Sequence, residues 1–230
     1  MTPRRARRLP AALALLVALT AVPAAPAAGV SAAPPALSAD AAVLWDPADG
    51  RALYGLRAST ALPMASLTKI MTGLLALEAG LAGERVRVSP AAAASEGGVV
   101  GLREGQTLPG SSVLAGLLVA SGNDAAVAIA EHVAGGEAAF VRRMNARAAA
   151  LGLMSTRYLS VSGLTDDERH RSSPLDLVRL AEVAMRDDVF AGVVARPRGG
   201  APGTGSMVRH TKMTTPLILW PFGLCGGGAG

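Results

Sequence analysis

From position 67 to position 77 the chain carries Leu67, Ile70, Met71, Leu74, Leu75 and Leu77 around most of a helix circumference. A helix of that kind is stable only if the rest of the fold surrounds it. Set into the run is Lys69, one of two lysines in the chain; the other is Lys212, so 20 of the 22 basic residues are arginine. An ammonium in a buried helix loses hydration and can give up its proton near neutral pH, whereas a guanidinium keeps its own. Lys69 is therefore a candidate base. Ser66 precedes it by three positions, which puts both side chains on one helix face and makes a candidate nucleophile and base pair. With Pro63 just before it, Ser66 also reads as an ordinary helix N-cap.

At 230 residues and 50% hydrophobic content, the chain can bury a core in one domain with or without a subdomain. The formal charge of +5 does not indicate a nucleic-acid partner. Arg4, Arg5, Arg7 and Arg8 lie at the extreme N-terminus, and without them 18 basic residues face 17 acidic ones. Those arginines, the apolar stretch over residues 9–22 and the small residues Ala25-Pro26-Ala27 have the layout of a secretory signal over residues 1–27. Export is the location expected, and membrane attachment stays open. Residues 28–39 read as an Ala/Pro/Ser-rich linker. Cys225 is alone, so no intrachain disulfide is available.

Two short strands over residues 41–46 and 51–54, joined by Pro47-Ala48-Asp49-Gly50, predict a hairpin just before the Ser66 helix. Further strand segments are expected at 85–88 and 106–108, around a Gly-rich loop at Gly97-Gly98. Helices are expected over about 112–119, 124–133, 137–151 and 174–185.

Between the first two of these helices lies Ala120-Ser121-Gly122-Asn123-Asp124. Such a turn can project the Ser121 hydroxyl and the Asn123 carboxamide into one cleft, as a proton relay and a donor to a substrate amide. It also suits plain capping by Asn123 or Asp124. His132, His170 and His210 bring no Gly-x-Ser-x-Gly elbow with them, and there is no metal-ligand spacing or phosphate loop.

Ser66-Leu67-Thr68-Lys69 followed some fifty residues later by Ser121-Gly122-Asn123 is the motif order of the penicillin-recognising serine enzymes. The flanking text sharpens the likeness: Ala65-Ser66-Leu67-Thr68-Lys69-Ile70-Met71-Thr72, Ala94-Ser95-Glu96-Gly97-Gly98, Ser121-Gly122-Asn123-Asp124-Ala125-Ala126, Met144-Asn145-Ala146 and Gly163-Leu164. Over residues 41–196 the chain resembles the D-alanyl-D-alanine carboxypeptidases of the low-molecular-mass penicillin-binding proteins, peptidase family S11.

The resemblance implies an α/β (α+β) fold of the beta-lactamase/DD-peptidase type: an antiparallel sheet flanked by helices, plus a helical subdomain carrying Ser121 and Asn123. It implies Ser66 as nucleophile, Lys69 as base, Ser121 as proton relay and Asn123 as a substrate-binding group. The Ser66 N–H would form half of an oxyanion hole. The implied partners are a peptidoglycan stem peptide and, as inhibitors, beta-lactams; no cofactor, metal or nucleic acid is implied. The domain expected over 40–196 is incomplete, because the family's Lys-Thr-Gly tripeptide does not occur: Lys212 is followed by Met213 and Thr214 in a Gly/Pro-rich tail over 197–230. A truncated or frame-shifted product with missing C-terminal sheet strands is expected, and the hairpin should then show uncovered apolar surface. The rivals are a peptidoglycan-binding protein without turnover, a gene remnant and a beta-lactamase.

Overall fold

The computed structural model describes residues 37–196. The expected signal segment, most of the linker, Lys212 and the tail lie outside the described residues. The elements run β1 (Ala42–Asp46), β2 (Arg51–Leu56), β3 (Leu62–Pro63), α1 (Lys69–Glu78), β4 (Arg85–Arg87), α2 (Pro90–Ala93), β5 (Thr107–Pro109), α3 (Gly110–Leu118), α4 (Asn123–Ala134), α5 (Glu137–Ala150), β6 (Arg171–Ser172), α6 (Pro174–Ala184) and α7 (Asp188–Val194).

Helices and antiparallel strands occur in the order expected. Among the described residues the strands form three separate two-stranded ladders, β1 with β2, β3 with β6 and β4 with β5. The β1–β2 hairpin leaves Leu44 and Leu53 52% and 51% exposed. The β3–β6 ladder was not anticipated, since two residues on each side carry no periodic signal. It pairs Leu62 with Ser172 and Pro63 with Arg171, and so fastens the segment before Ser66 to the one that follows His170.

α1 is the central helix the sequence demands: Lys69, Ile70, Met71, Thr72, Gly73, Leu74 and Ala76 are all buried. It packs on α3, α4, α5, α6 and α7. Gly73 lets it approach α3 and α7, because a Cβ there would lie 2.9 Å from Leu118 Cδ2 and 3.2 Å from the Phe190 ring. α4 is buried from Asn123 through Ala130, and its alanines allow α1, α2, α3 and α5 to close around it. α7, absent from the sequence reading, is capped by Asp187, whose carboxylate accepts the N–H groups of Val189 and Phe190. That cap and the apolar Val189, Phe190 and Val193 were the signal available for it.

Candidate active site

Ser66 does not cap α1. Residues Ala65–Thr68 form a 3-10 turn with Met64 at its N-cap, and the α-helix begins at Lys69. The cause is Ala65, whose φ of 44° lies in the left-handed region and turns the chain so that Ser66 sits exposed at the helix entrance. A non-glycine residue there costs about 1–2 kcal/mol. Such strain persists only where surrounding contacts impose it.

Lys69 reaches toward Ser66 from the first position of α1. Its Nζ donates to Ser66 Oγ at 3.1 Å and to the Ser162 carbonyl at 2.8 Å, and the residue is 3% exposed. Burial brings the ammonium down from its ordinary 10.5 to about 8, against the opposing pull of the Asp124 carboxylate. A neutral amine at this position can accept the hydroxyl proton that the ammonium cannot.

The carbonyl that receives Lys69 belongs to a loop over residues 159–164, which the sequence reading did not place at the site. Thr72, one turn beyond Lys69, donates to the Val161 carbonyl at 2.6 Å. Gly163, at φ 90°, lies directly on the Ala65 peptide, and a Cβ there would lie 1.9 Å from the Ala65 oxygen. The resemblance around Gly163-Leu164 was the available signal; backbone acceptors leave no side-chain signature.

The second expected pair sits at the turn from α3 into α4. Ser121 is half-buried at φ 57°, again left-handed for a non-glycine residue. Asn123 commits one Nδ2 proton to the Glu96 carbonyl at 2.7 Å, and its N–H donates to the Gly98 carbonyl at 2.7 Å. Gly97 faces the Asn123 carboxamide on one side and Leu164 on the other, so the two loops approach each other beside Asn123.

Asp124 does more than start a helix. Its buried carboxylate accepts the N–H groups of Val100, Gly101 and Leu102 at 2.9–3.1 Å, as well as that of Ala125 at 2.9 Å. One side chain thereby holds residues 100–102 against the Ser121 turn, and its charge acts on Lys69. Asp124→Asn would turn an amide NH2 toward backbone donors, and a loss of roughly 2–3 kcal/mol in urea unfolding is expected. Hydrogen exchange should quicken at residues 100–102, and the Lys69 pKa should fall further.

Of the other histidines, His132 on α4 pairs with Glu84. His170 is 3% exposed beside Thr68.

Residues 28–194 match the family model described as D-alanyl-D-alanine carboxypeptidase, Peptidase S11. The chain is 39% identical over 156 residues to D-alanyl-D-alanine carboxypeptidase DacF of Bacillus subtilis, covering 66% of this chain and 40% of that protein. It is 34% identical over 182 residues to DacB2 of Mycobacterium tuberculosis, covering 79% and 62%. The crystal structure of a D-alanyl-D-alanine carboxypeptidase from Mycobacterium tuberculosis superposes with a TM-score of 0.69 at 35% identity, covering 73% of this chain and 64% of that one. The chain thus spans 40% to 62% of the length of these two curated relatives. By the extent of the family match and the agreement in fold, the chain belongs to the peptidase S11 family of D-alanyl-D-alanine carboxypeptidases.

Proposed function

We propose that this chain is an exported serine-type carboxypeptidase that removes the terminal D-alanine from peptidoglycan stem peptides. The observation that carries this reading is Lys69 Nζ, buried and 3.1 Å from Ser66 Oγ, with a pKa near 8. In the proposed reaction the neutral Lys69 amine takes the Ser66 proton as Oγ attacks the carbonyl between the two terminal D-alanines. The C–N bond then breaks, and the departing D-alanine amine receives a proton through Ser121. Water hydrolyses the resulting Ser66 ester, releasing the shortened peptide as a carboxylate and restoring the serine.

Asn123 supports this reading by position, with its carboxamide held at the head of α4 by Glu96. The Ser66 N–H, at the entrance to α1, supplies one oxyanion donor, a contribution typically worth about a hundredfold to a thousandfold in rate. A beta-lactam would acylate Ser66 in place of the D-Ala-D-Ala bond. No helix among the described residues is long and apolar enough to cross a membrane.

The test is intact mass of the purified chain after incubation with benzylpenicillin, with Ser66→Ala in parallel. A penicilloyl adduct on the unmodified chain alone, together with release of D-alanine from a stem-peptide substrate, is the expected result. A cooperatively folded chain that binds stem peptide but forms no adduct would replace the enzymatic reading with a binding one. Rapid turnover of a chromogenic cephalosporin would replace it with a beta-lactamase.

A further inference from the structure

His170 lies 102 positions from Thr68, yet the two side chains meet in the interior with Nε2 and Oγ1 2.7 Å apart. The proton arrangement follows from what each group can donate. His170 Nδ1 accepts the Leu159 N–H at 3.0 Å, so it carries no proton of its own. A neutral imidazole has one N–H, which must then be on Nε2, and Nε2 donates to Thr68 Oγ1. Burial favours this neutral form. The single hydroxyl proton of Thr68 goes to the Ala65 carbonyl at 2.7 Å. Reversing the relay would set an Nδ1–H against the Leu159 N–H.

The end of this relay is the peptide that joins Ala65 to Ser66. That unit is planar and trans, so its carbonyl and its N–H point in opposite directions and cannot turn independently. Holding the Ala65 oxygen therefore fixes the direction of the Ser66 N–H. Ala65 at φ 44° would not keep this orientation unaided. Gly163 closes the other approach to the same carbonyl, and β6 delivers His170 by pairing Arg171 with Pro63.

We propose that His170 and Thr68 are positioning residues that aim the Ser66 backbone N–H, the oxyanion donor of the acyl-transfer reaction. The inference rests on the acyl-enzyme reading given above. It concerns how the donor is oriented, and both residues are buried.

The experiment compares benzylpenicillin acylation of the full chain with that of Thr68→Val, which keeps the shape but loses the hydroxyl, and Thr68→Ser, which keeps the hydroxyl. Thr68→Val should slow the acylation step by about 30-fold to 100-fold with little change in the preceding non-covalent affinity, since misdirecting an oxyanion donor forfeits much of its roughly hundredfold to thousandfold effect. Thr68→Ser should stay within about threefold of the unmodified chain on the same argument. An unchanged Thr68→Val, or a Thr68→Ser as slow as Thr68→Val, would overturn the proposal.

Nitrogen NMR of 15N-histidine-labelled chain reads the relay without any chemistry. A neutral His170 protonated on Nε2 supports it, and an Nδ1–H tautomer refutes it. If the unmodified chain forms no adduct, or Thr68→Val does not fold, that spectrum decides. A missing adduct alone counts against the acyl-enzyme reading.

Discussion

Replacing Lys69 by arginine is expected to reduce benzylpenicillin acylation of Ser66 by about a thousandfold, the scale of losing a positioned general base. Charge at the site is retained by this substitution and proton acceptance is lost, because guanidinium does not deprotonate in the working range. In the unmodified chain burial sets the Lys69 pKa at about 8. In the proposed mechanism the reactive form is the neutral one. Below that value the amine is mostly protonated, so the acylation rate should rise about tenfold per pH unit and level off above it. Lys69→Arg should show no such rise. Rates from quenched-flow mass spectrometry between pH 5.5 and 9 check both statements, and a pH-dependent Lys69→Arg would remove Lys69 from the role of base.

Gly163→Ala should damage both the fold and the site. Its Cβ would come within 1.9 Å of the Ala65 oxygen, 2.4 Å of the Ala65 carbonyl carbon and 2.9 Å of Thr68 Oγ1, on a backbone at φ 90°. Backbone atoms cannot step aside as a flexible side chain does, so the loop over residues 159–164 must lift. Overpacking and left-handed strain together predict a destabilisation of about 3 kcal/mol. Lifting the loop also withdraws the Val161 and Ser162 carbonyls from Thr72 and Lys69. Water would reach Lys69, its pKa would climb back toward 10.5, and the midpoint of the acylation profile would move up with it. Urea unfolding measures the first effect and the rate profile the second. A variant that folds normally and keeps a midpoint near 8 would show that the loop does not set the environment of Lys69.

Periodicity and composition made the main helices and the hairpin legible. A buried helix with a lysine inside it follows from the apolar circumference of residues 67–77, and the observed burial of Lys69 follows in turn. The Ser121-Gly122-Asn123 turn between two helices brought Ser121 and Asn123 into consideration and the likeness in motif order gave them roles; the structure sets them at the turn into α4, next to Asp124, whose charge reaches Lys69. What was not legible depends on contacts distant in sequence. Ser66 looks like a cap because cap statistics are local; the left-handed Ala65 that prevents it has Gly163, 98 positions on, packed against its carbonyl. Asp124 reads as a first-turn acid, and only the folded chain shows three backbone N–H groups of residues 100–102 converging on it. His170 gave no triad pattern because its partners are a hydroxyl and a backbone N–H.

The seam that joins the Ser66 turn to the 159–172 segment also fixes when the site can come into being. Lys69 meets Ser162 across 93 positions and Thr68 meets His170 across 102. Closing loops of that length carries a large entropic cost before any contact repays it, so such pairings form late. α1 itself is covered in part by α6 and α7, so until residues 159–194 close over it Ser66 and Lys69 face water and the lysine keeps its ordinary basicity. In the proposed mechanism, a chain folding from its N-terminus therefore carries an unactivated serine until β6 docks on β3, and nucleophilic competence is expected late in folding.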